Sequence, residues 1–248
     1  MAFCTLHFFS EALNREVSVN AFVPQNREGY KTLYLLHGLS DDQTVWQRYT
    51  EVELDAAQAG IAVIMPNGDR SFYTDLSSGD RYFTYISKEL PEMMTRFFRG
   101  ISPAREDNYI AGLSMGGYGA MKIAMRNPDC FAAVASMSGV MDIARFMRED
   151  MNSIERKSIF GNITNIKPED DLFALAENLV QQGNPLRIYQ ACGTEDFLYG
   201  DNVKFRDFAQ KAGLDLTYEE GSGIHNWSFW NEYIEKIMKW ISEMQPCG

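Results

Sequence analysis

Hydrophobic residues in this chain occur in eight short runs, separated by longer stretches in which apolar and polar positions alternate with a helical period. The runs predict β-strands over residues 3–9, 17–23, 32–36, 62–65, 109–111, 131–136, 186–191 and 216–220. The helical patterns cover residues 81–98, 118–126, 203–212 and 228–243. Strands that alternate with helices predict an α/β fold, with a mostly parallel sheet covered by helices on both faces and an antiparallel hairpin at its start.

The organisation of the chain indicates a single domain. Its 248 residues, 45% of them hydrophobic, suit one compact unit over residues 1–248 with a large core. One connection, residues 139–183, is much longer than the others and combines helical segments with apolar positions such as Phe146 and Phe160. We interpret this insertion as a small helical cap over the functional site, although a packing excursion at the edge of the sheet explains it equally well.

Composition and charge narrow the classes of partner. A net charge of −11 and an isoelectric point near 4.8 disfavour nucleic acids and anionic membrane surfaces. No stretch approaches the ~20 apolar residues of a membrane helix, and residues 1–10 lack the features of a signal peptide, so we expect a cytoplasmic protein. The cysteines, Cys4, Cys130, Cys192 and Cys247, have no C-x-x-C spacing and fit reduced thiols, while the scattered histidines give no support for a metal site. Association into a homo-oligomer stays open.

A motif between a predicted strand and a predicted helix indicates the chemistry. Residues 112–117 read G-L-S-M-G-G, the G-x-S-x-G pattern of a nucleophile elbow. A strand that turns abruptly into a helix leaves no room for side chains beside the serine, so glycines flank it. The motif therefore predicts Ser114 as a nucleophile. The alternative is a tight turn with an incidental serine, which the strand before it and the helix after it disfavour.

A serine hydroxyl needs a base, and the choice among the histidines is narrow. The chain has His7, His37 and His225, and only the last of them follows Ser114. In α/β-hydrolases the order along the chain is serine, acid, histidine, so we predict His225 as the base. It lies in a loop of small residues before the last predicted helix, where it can reach over the serine. A surface-loop histidine without a catalytic role is the alternative.

The third member of the predicted triad is a carboxylate that orients the histidine. Asp196 lies in the loop that follows the predicted strand over residues 186–191, and it is our choice. Glu195 precedes it and fits an exposed loop carboxylate better. Asp142 is the serious competitor because it follows the strand over residues 131–136, where some enzymes of this architecture carry the acid. A cap for the helix that begins at Ile143 is the better interpretation of Asp142.

Acyl chemistry also needs two backbone N–H groups that stabilise the developing negative charge, an oxyanion hole. The amide of Met115, directly after the predicted nucleophile, provides one. We predict that the second is the amide of Leu39, in the loop that follows the strand over residues 32–36. Gly38 allows this loop to approach the substrate closely. His37 is then expected to shape the loop and to take no direct part in catalysis.

With these residues in place, the chain resembles the esterase D-like branch of the α/β-hydrolases, and most closely its bacterial tributyrin esterases. The matching stretches are residues 35–40 with Trp46, 69–75, 112–117, 193–199 and 225–230. The resemblance implies hydrolysis of short-chain carboxylic esters through an acyl-enzyme, without a cofactor. It assigns the same roles to Ser114, Asp196, His225, Leu39 and Met115. It also implies that residues 69–75 line the pocket, with Trp46 and Trp227 as candidate walls, although buried core explains either tryptophan equally well.

Other functions are weaker interpretations of the same residues. The family includes S-formylglutathione hydrolases, but the cysteine that those enzymes carry after the oxyanion-loop glycine is absent here, where Ser40, Asp41 and Asp42 stand. This departure disfavours the thioesterase. Acyl transfer differs from hydrolysis only in the acceptor, so the sequence does not separate the two. A non-catalytic carbohydrate-binding protein on the same scaffold is disfavoured by the complete set of catalytic residues.

Overall fold

An eight-stranded sheet forms the centre of the molecule. The structure is a computed structural model that describes residues 1–25, 29–150, 153–161 and 166–244. Within these ranges the strands are β1 Ala2–Ser10, β2 Arg15–Val23, β3 Thr32–Leu36, β4 Ala62–Pro66, β5 Asn108–Leu113, β6 Ala133–Met137, β7 Arg187–Gly193 and β8 Leu216–Gly221. Their order is β1-β2-β4-β3-β5-β6-β7-β8, with β1 and β2 antiparallel to their neighbours and β3 to β8 parallel. The predicted α/β fold is confirmed.

Helices cover both faces of this sheet. They are α1 Val45–Tyr49, α2 Val52–Ala59, α3 Tyr82–Thr84, α4 Leu90–Phe97, α5 Met115–Arg126, α6 Ile143–Arg148, α7 Ile154–Phe160, α8 Leu172–Gln182, α9 Tyr199–Ala212 and α10 Trp227–Glu243. Alternate residues of β3 belong to two different apolar clusters: Leu33 and Leu35 pack with α1, α2 and α10, whereas Tyr34 and Leu36 pack with the remaining helices. Burial on both faces explains the continuous apolar run over residues 33–36 of β3.

The helix predicted over residues 81–98 contains an irregularity. Between α3 and α4 the chain forms a π-helical turn over Tyr85–Glu89. Pro91, at the start of α4, has no N–H to donate, and its ring would collide with the carbonyl group four residues earlier in a regular helix. Widening the preceding turn avoids this collision. The helices α1 and α2 are additions to the predicted set.

The predicted functional residues lie directly after the carboxyl ends of parallel strands. Strands β3, β5, β7 and β8 all end on the same side of the sheet, which is where α/β proteins bind their ligands. The insertion over residues 139–183 contains α6, α7 and α8, and the ring of Phe160 packs 5.6 Å from that of Phe72. Residues 151–152 and 162–165 of this insertion lie outside the described residues.

Predictions about membrane helices, cysteines and metal ligands also came from the sequence, and the described residues show the following. No helix of the described residues is both long and apolar enough to cross a membrane. Cys4, Cys130 and Cys192 are free thiols, and Cys247 lies outside the described residues. Within the same described ranges, no three His, Cys, Asp or Glu side chains are grouped as a metal site requires.

Candidate active site

Ser114 lies at a sharp turn between β5 and α5. Its backbone has φ 53° and ψ −116°, a conformation that costs a non-glycine residue about 1–3 kcal/mol. The flanking glycines permit this turn. A Cβ atom on Gly112 would lie 2.4 Å from the backbone of Gly116, and one on Gly116 would lie 2.5 Å from the carbonyl oxygen of His37. The elbow therefore requires glycine at both positions, as the motif predicts.

His225 lies in the loop between β8 and α10 and contacts Ser114 directly. Its Nε2 atom is 3.0 Å from the Oγ of Ser114, and its Nδ1 atom is 2.8 Å from Oδ2 of Asp196. A carboxylate can only accept, so Nδ1 carries the proton and donates to Asp196, which leaves the lone pair of Nε2 free in the neutral ring. Glu195 holds the same loop from outside, because its exposed carboxylate accepts from the amide of Gly223 at 2.5 Å.

The Asp196 carboxylate is fully buried beneath the histidine. Besides His225, it accepts a hydrogen bond from the amide of Leu198 to Oδ1 at 2.8 Å. Burial alone would raise the pKa of this carboxyl, but the hydrogen bonds from His225 and Leu198 outweigh it, and the pKa lies below its ordinary value. The group is thus held ionised, which is the state that fixes the orientation of an imidazole.

Asp142, the alternative candidate for the triad acid, has a structural role instead. Asp142 is the N-cap of α6 and accepts from the amide of Arg145 at 2.8 Å. Its other oxygen accepts from Nζ of Lys204 at 2.5 Å. With both oxygens engaged in this way, Asp142 is a structural cap, in agreement with the preferred interpretation.

The two loops that carry the predicted oxyanion-hole amides meet beside Ser114. Leu39 and Met115 both line the cleft above the serine. Met115 is the first residue of α5, so its amide precedes the hydrogen-bond ladder of the helix. Gly38 allows the close approach, because a Cβ atom there would lie 2.5 Å from Cδ1 of Leu113.

His37 is fully buried behind this loop and stabilises its shape. Its Nε2 accepts from the amide of Gly68 at 2.8 Å, so its Nδ1 carries the proton and donates to the carbonyl oxygen of Gly38 at 2.8 Å. The hydroxyl of Tyr73 donates to the carbonyl oxygen of His37 at 3.0 Å. Burial lowers the pKa of His37 and favours the neutral ring that these contacts require.

A cleft of about 440 Å³ opens over Ser114. Its walls are mainly apolar and comprise Gly38, Leu39, Asp41, Phe72, Leu113, Met115, Val140, Phe146, Phe197, Leu198, His225, Asn226, Trp227 and Trp230. The rings of Phe197 and Trp230 lie 4.6 and 4.9 Å from that of His225. Neither ring has a sequence signal for a place in the site, although Phe197 follows Asp196 and so lies at the same strand end. Gly38 and Trp227 line the cleft, and their contact with substrate stays a prediction.

One prediction about the pocket walls is wrong, and another holds only in part. Trp46 is fully buried and does not line the cleft; its indole Nε1 donates to the carbonyl oxygen of Leu36 at 3.2 Å. It packs edge-on against Trp227 at 5.4 Å and so supports the wall from behind. Of residues 69–75, only Phe72 lines the cleft, because Tyr73 points into the core toward His37.

Comparison with known proteins agrees with this geometry. The sequence profile of the family described as "Putative esterase" matches residues 10–241. An acetyl esterase from Caldicellulosiruptor saccharolyticus is 31% identical, over 98% of this chain and 99% of that protein. The substrate-bound structure of the fluorophosphonate-binding serine hydrolase F of Staphylococcus aureus is 32% identical, with a TM-score of 0.92 over 98% of this chain and 99% of that one.

A structure described as an S-formylglutathione hydrolase from the same organism has a TM-score of 0.89 and 32% identity, with 98% of this chain and 99% of that chain covered. The family match spans nearly the whole chain, one relative is an acetyl esterase, and the similar structure with a TM-score of 0.92 is described as a serine hydrolase. The chain belongs to the esterase family and is a serine carboxylic ester hydrolase with the α/β-hydrolase fold.

Proposed function

We propose that this protein is a carboxylesterase that hydrolyses short-chain acyl esters, with Ser114, His225 and Asp196 as its catalytic triad. The observation that carries the proposal is the continuous chain of hydrogen bonds from Ser114 Oγ through His225 to Asp196, with distances of 3.0 and 2.8 Å. It is the arrangement that activates a serine hydroxyl at neutral pH.

The reaction follows from these contacts. The Oγ of Ser114 attacks the acyl carbon, and its proton passes to Nε2 of His225. The amides of Leu39 and Met115 stabilise the oxyanion. When the ester bond breaks, the alcohol leaves with the proton from His225, and the acyl group stays on Ser114. Water then attacks the acyl-enzyme, again losing a proton to His225, and the carboxylic acid is released as the serine regains its proton.

The choice of acid is tested by two matched substitutions. Asp196→Asn should lower kcat by on the order of 10³–10⁴-fold, because an amide at this position stabilises the wrong tautomer of the imidazole. Asp142→Asn should hydrolyse the same esters almost normally, since asparagine is also a good helix cap. Initial rates with p-nitrophenyl acetate measure both effects. Loss of activity in Asp142→Asn with retention in Asp196→Asn would exclude the assignment.

Two groups of aromatic rings line the cleft, one around His225 and one around Phe72, and the second group supports a short acyl pocket. Phe197 and Trp230 contact His225, which protonates the leaving alcohol, so we assign that side to the alcohol. The acyl group is then assigned to the side of Phe72 and Phe146, whose rings lie 5.2 Å apart. Phe160 closes this side from behind, 5.6 Å from Phe72. Three packed rings leave little length for an acyl chain.

We expect acetyl to butyryl esters to be the best substrates in a p-nitrophenyl series from acetate to palmitate. Each methylene of the acyl chain that fits the pocket stabilises the transition state by about 0.8 kcal/mol, which raises kcat/KM roughly fourfold. A methylene that collides with the rings lowers kcat/KM. Phe146→Ala should move the optimum to longer chains. Phe97→Ala, an exposed ring on α4, is the control and should leave the optimum in place. A steady rise of kcat/KM beyond octanoate in the wild type would contradict the proposed pocket.

Hydrolysis of thioesters is the second candidate, because one similar structure is described as an S-formylglutathione hydrolase. Against it stand Ser40 and Asp41, which occupy the positions after the oxyanion loop where the sequence analysis expects a cysteine in such enzymes. A direct comparison of kcat/KM for S-formylglutathione and p-nitrophenyl acetate decides between the two candidates. The proposed function requires the oxygen ester to be the better substrate.

A further inference from the structure

The cleft contains one charged group that the proposed mechanism does not use. Among its described lining residues, Asp41 is the only Asp, Glu, Lys or Arg. Its Oδ2 atom lies 3.1 Å from the position that a Cβ atom on Gly38 would take, and the Cβ of Ser114 lies 3.7 Å from the same position. The carboxylate and the nucleophile are therefore separated only by the oxyanion loop.

Within the described part of the chain, Asp41 forms no ion pair, because the cations around it are engaged elsewhere. The guanidinium of Arg48 donates to Oγ1 of Thr44 at 3.2 Å and to the hydroxyl of Tyr49 at 3.4 Å. Arg70 forms a two-point ion pair with Glu155 of α7, with one N–O distance of 3.0 Å. Burial raises the pKa of the Asp41 carboxyl, as expected for a carboxylate partly removed from water.

The adjacent carboxylate is not equivalent. Oδ1 of Asp42 accepts from both the amide and the hydroxyl of Thr44, at 2.8 and 2.6 Å. These contacts lower the pKa of Asp42 in spite of its partial burial, and the residue does not line the cleft. Asp41 and Asp42 thus provide two neighbouring negative charges, of which one faces the substrate.

The position of Asp41 relates it to the alcohol. Asp41 lies in the loop that leads from β3 into α1, and two rings of α1, those of Trp46 and Tyr49, pack on Trp227 at 5.4 and 5.1 Å. Trp227 in turn contacts Trp230, beside His225, at 5.2 Å. This is the side of the cleft that we assigned to the leaving group.

Resting on the proposed function, we propose that Asp41 determines which alcohols the site accepts: it favours alcohols that carry an ammonium group and disfavours those that carry a carboxylate, sulfonate or phosphate. A fixed negative charge in a mostly apolar cleft acts at low effective dielectric, where it discriminates between substrate charges more strongly than a carboxylate in water does. Glutathione carries two carboxylates and one ammonium group, so its net negative charge is expected to weaken the binding of its thioesters at such a site.

Three acetyl esters with the same two-carbon spacer test this inference. They are acetylcholine, its neutral isostere 3,3-dimethylbutyl acetate, and the anionic 2-sulfoethyl acetate. In the wild type we expect kcat/KM to follow the order cation, neutral, anion, with at least about tenfold between the first and the last. Asp41→Asn, which keeps the shape of the side chain, should reduce that ratio about tenfold, and high salt should reduce it in the wild type as well.

Asp42→Asn is the matched control and should keep the wild-type ratio, since its charge does not face the cleft. An unchanged ratio in Asp41→Asn, or an equal reduction in Asp42→Asn, would overturn the role of Asp41. The neutral ester distinguishes a failure of this inference from a failure of the proposed function. If the wild type hydrolyses it, the proposed function stands and the ratios alone decide; if neither it nor p-nitrophenyl acetate is hydrolysed, the proposed function fails and this inference fails with it.

Discussion

His225→Ala and Ser114→Ala are each expected to lose on the order of 10³-fold or more in kcat on short-chain esters, with melting temperatures close to that of the wild type. The loss is large because the members of a triad act as a unit, so removing one removes nearly the whole effect. Folding is little affected because both side chains are partly exposed in the cleft. Steady-state rates with p-nitrophenyl acetate and thermal melts of the same preparations measure the two quantities.

His7→Ala serves as the control for loss of a histidine. His7 is exposed on β1, the outermost strand of the sheet, and its Nδ1 lies 3.0 Å from the hydroxyl of Ser18, far along the sheet from Ser114. This variant should retain wild-type activity. If His225→Ala kept most of its activity, the assignment of the base would be wrong, whatever the effect of Ser114→Ala.

Substitution of Lys122, a fully buried cation on α5, is expected to have the largest effect on stability. Its Nζ donates to Oδ1 of Asp170 and to the carbonyl oxygen of Phe72, each at 3.3 Å, and to the hydroxyl of Thr74. Burial lowers its pKa to about 8, and Asp170 acts in the opposite direction. Lys122→Met would leave the Asp170 carboxylate buried without a cation, and we expect the free energy of unfolding to fall by about 3–5 kcal/mol.

Two further variants separate this effect from a general loss of packing. Lys122→Met combined with Asp170→Asn removes both charges and should recover much of the lost stability. Arg96→Met breaks the ion pair with Glu92, in which the two side chains are 64% and 63% exposed, and should cost no more than about 1 kcal/mol. Equilibrium unfolding in urea measures all three. Equal stability of Lys122→Met and Arg96→Met would contradict the buried ion pair.

The strands could be predicted from the sequence because their physical signal is local. All five residues of β3 are buried, for example, and residues 33–36 form an apolar run that no surface helix resembles. The helices α1 and α2, of 5 and 8 residues, are too short to show a helical period, since only Val45 and Trp46 are buried in the first and Val52, Asp55 and Ala56 in the second. The π-helical turn before Pro91 depends on a collision within the backbone, which the pattern of apolar positions does not record.

The candidate site divides in the same way. Ser114 could be predicted from its motif, His225 from its order along the chain, and Asp196 from its place after a strand. In the structure the side chain of His225 lies within hydrogen-bond distance of the other two. Trp46 was misassigned because a tryptophan near a functional loop has no sequence signal for the face it occupies, and α1 turns it into the core. Phe197, which is 71% exposed beside His225, depends on a loop conformation that the sequence pattern does not reveal.

The central claim is that Ser114 carries the acyl group during the reaction. A fluorophosphonate forms a stable phosphonyl ester with an activated serine, in place of the transient acyl-enzyme. Mass spectrometry of the digested protein should then show one modified peptide, with the adduct on Ser114. Asp196→Asn should label much more slowly and Ser114→Ala should not be labelled. Labelling of Ser114→Ala to the same extent as the wild type, or an adduct on a different residue, would contradict the account.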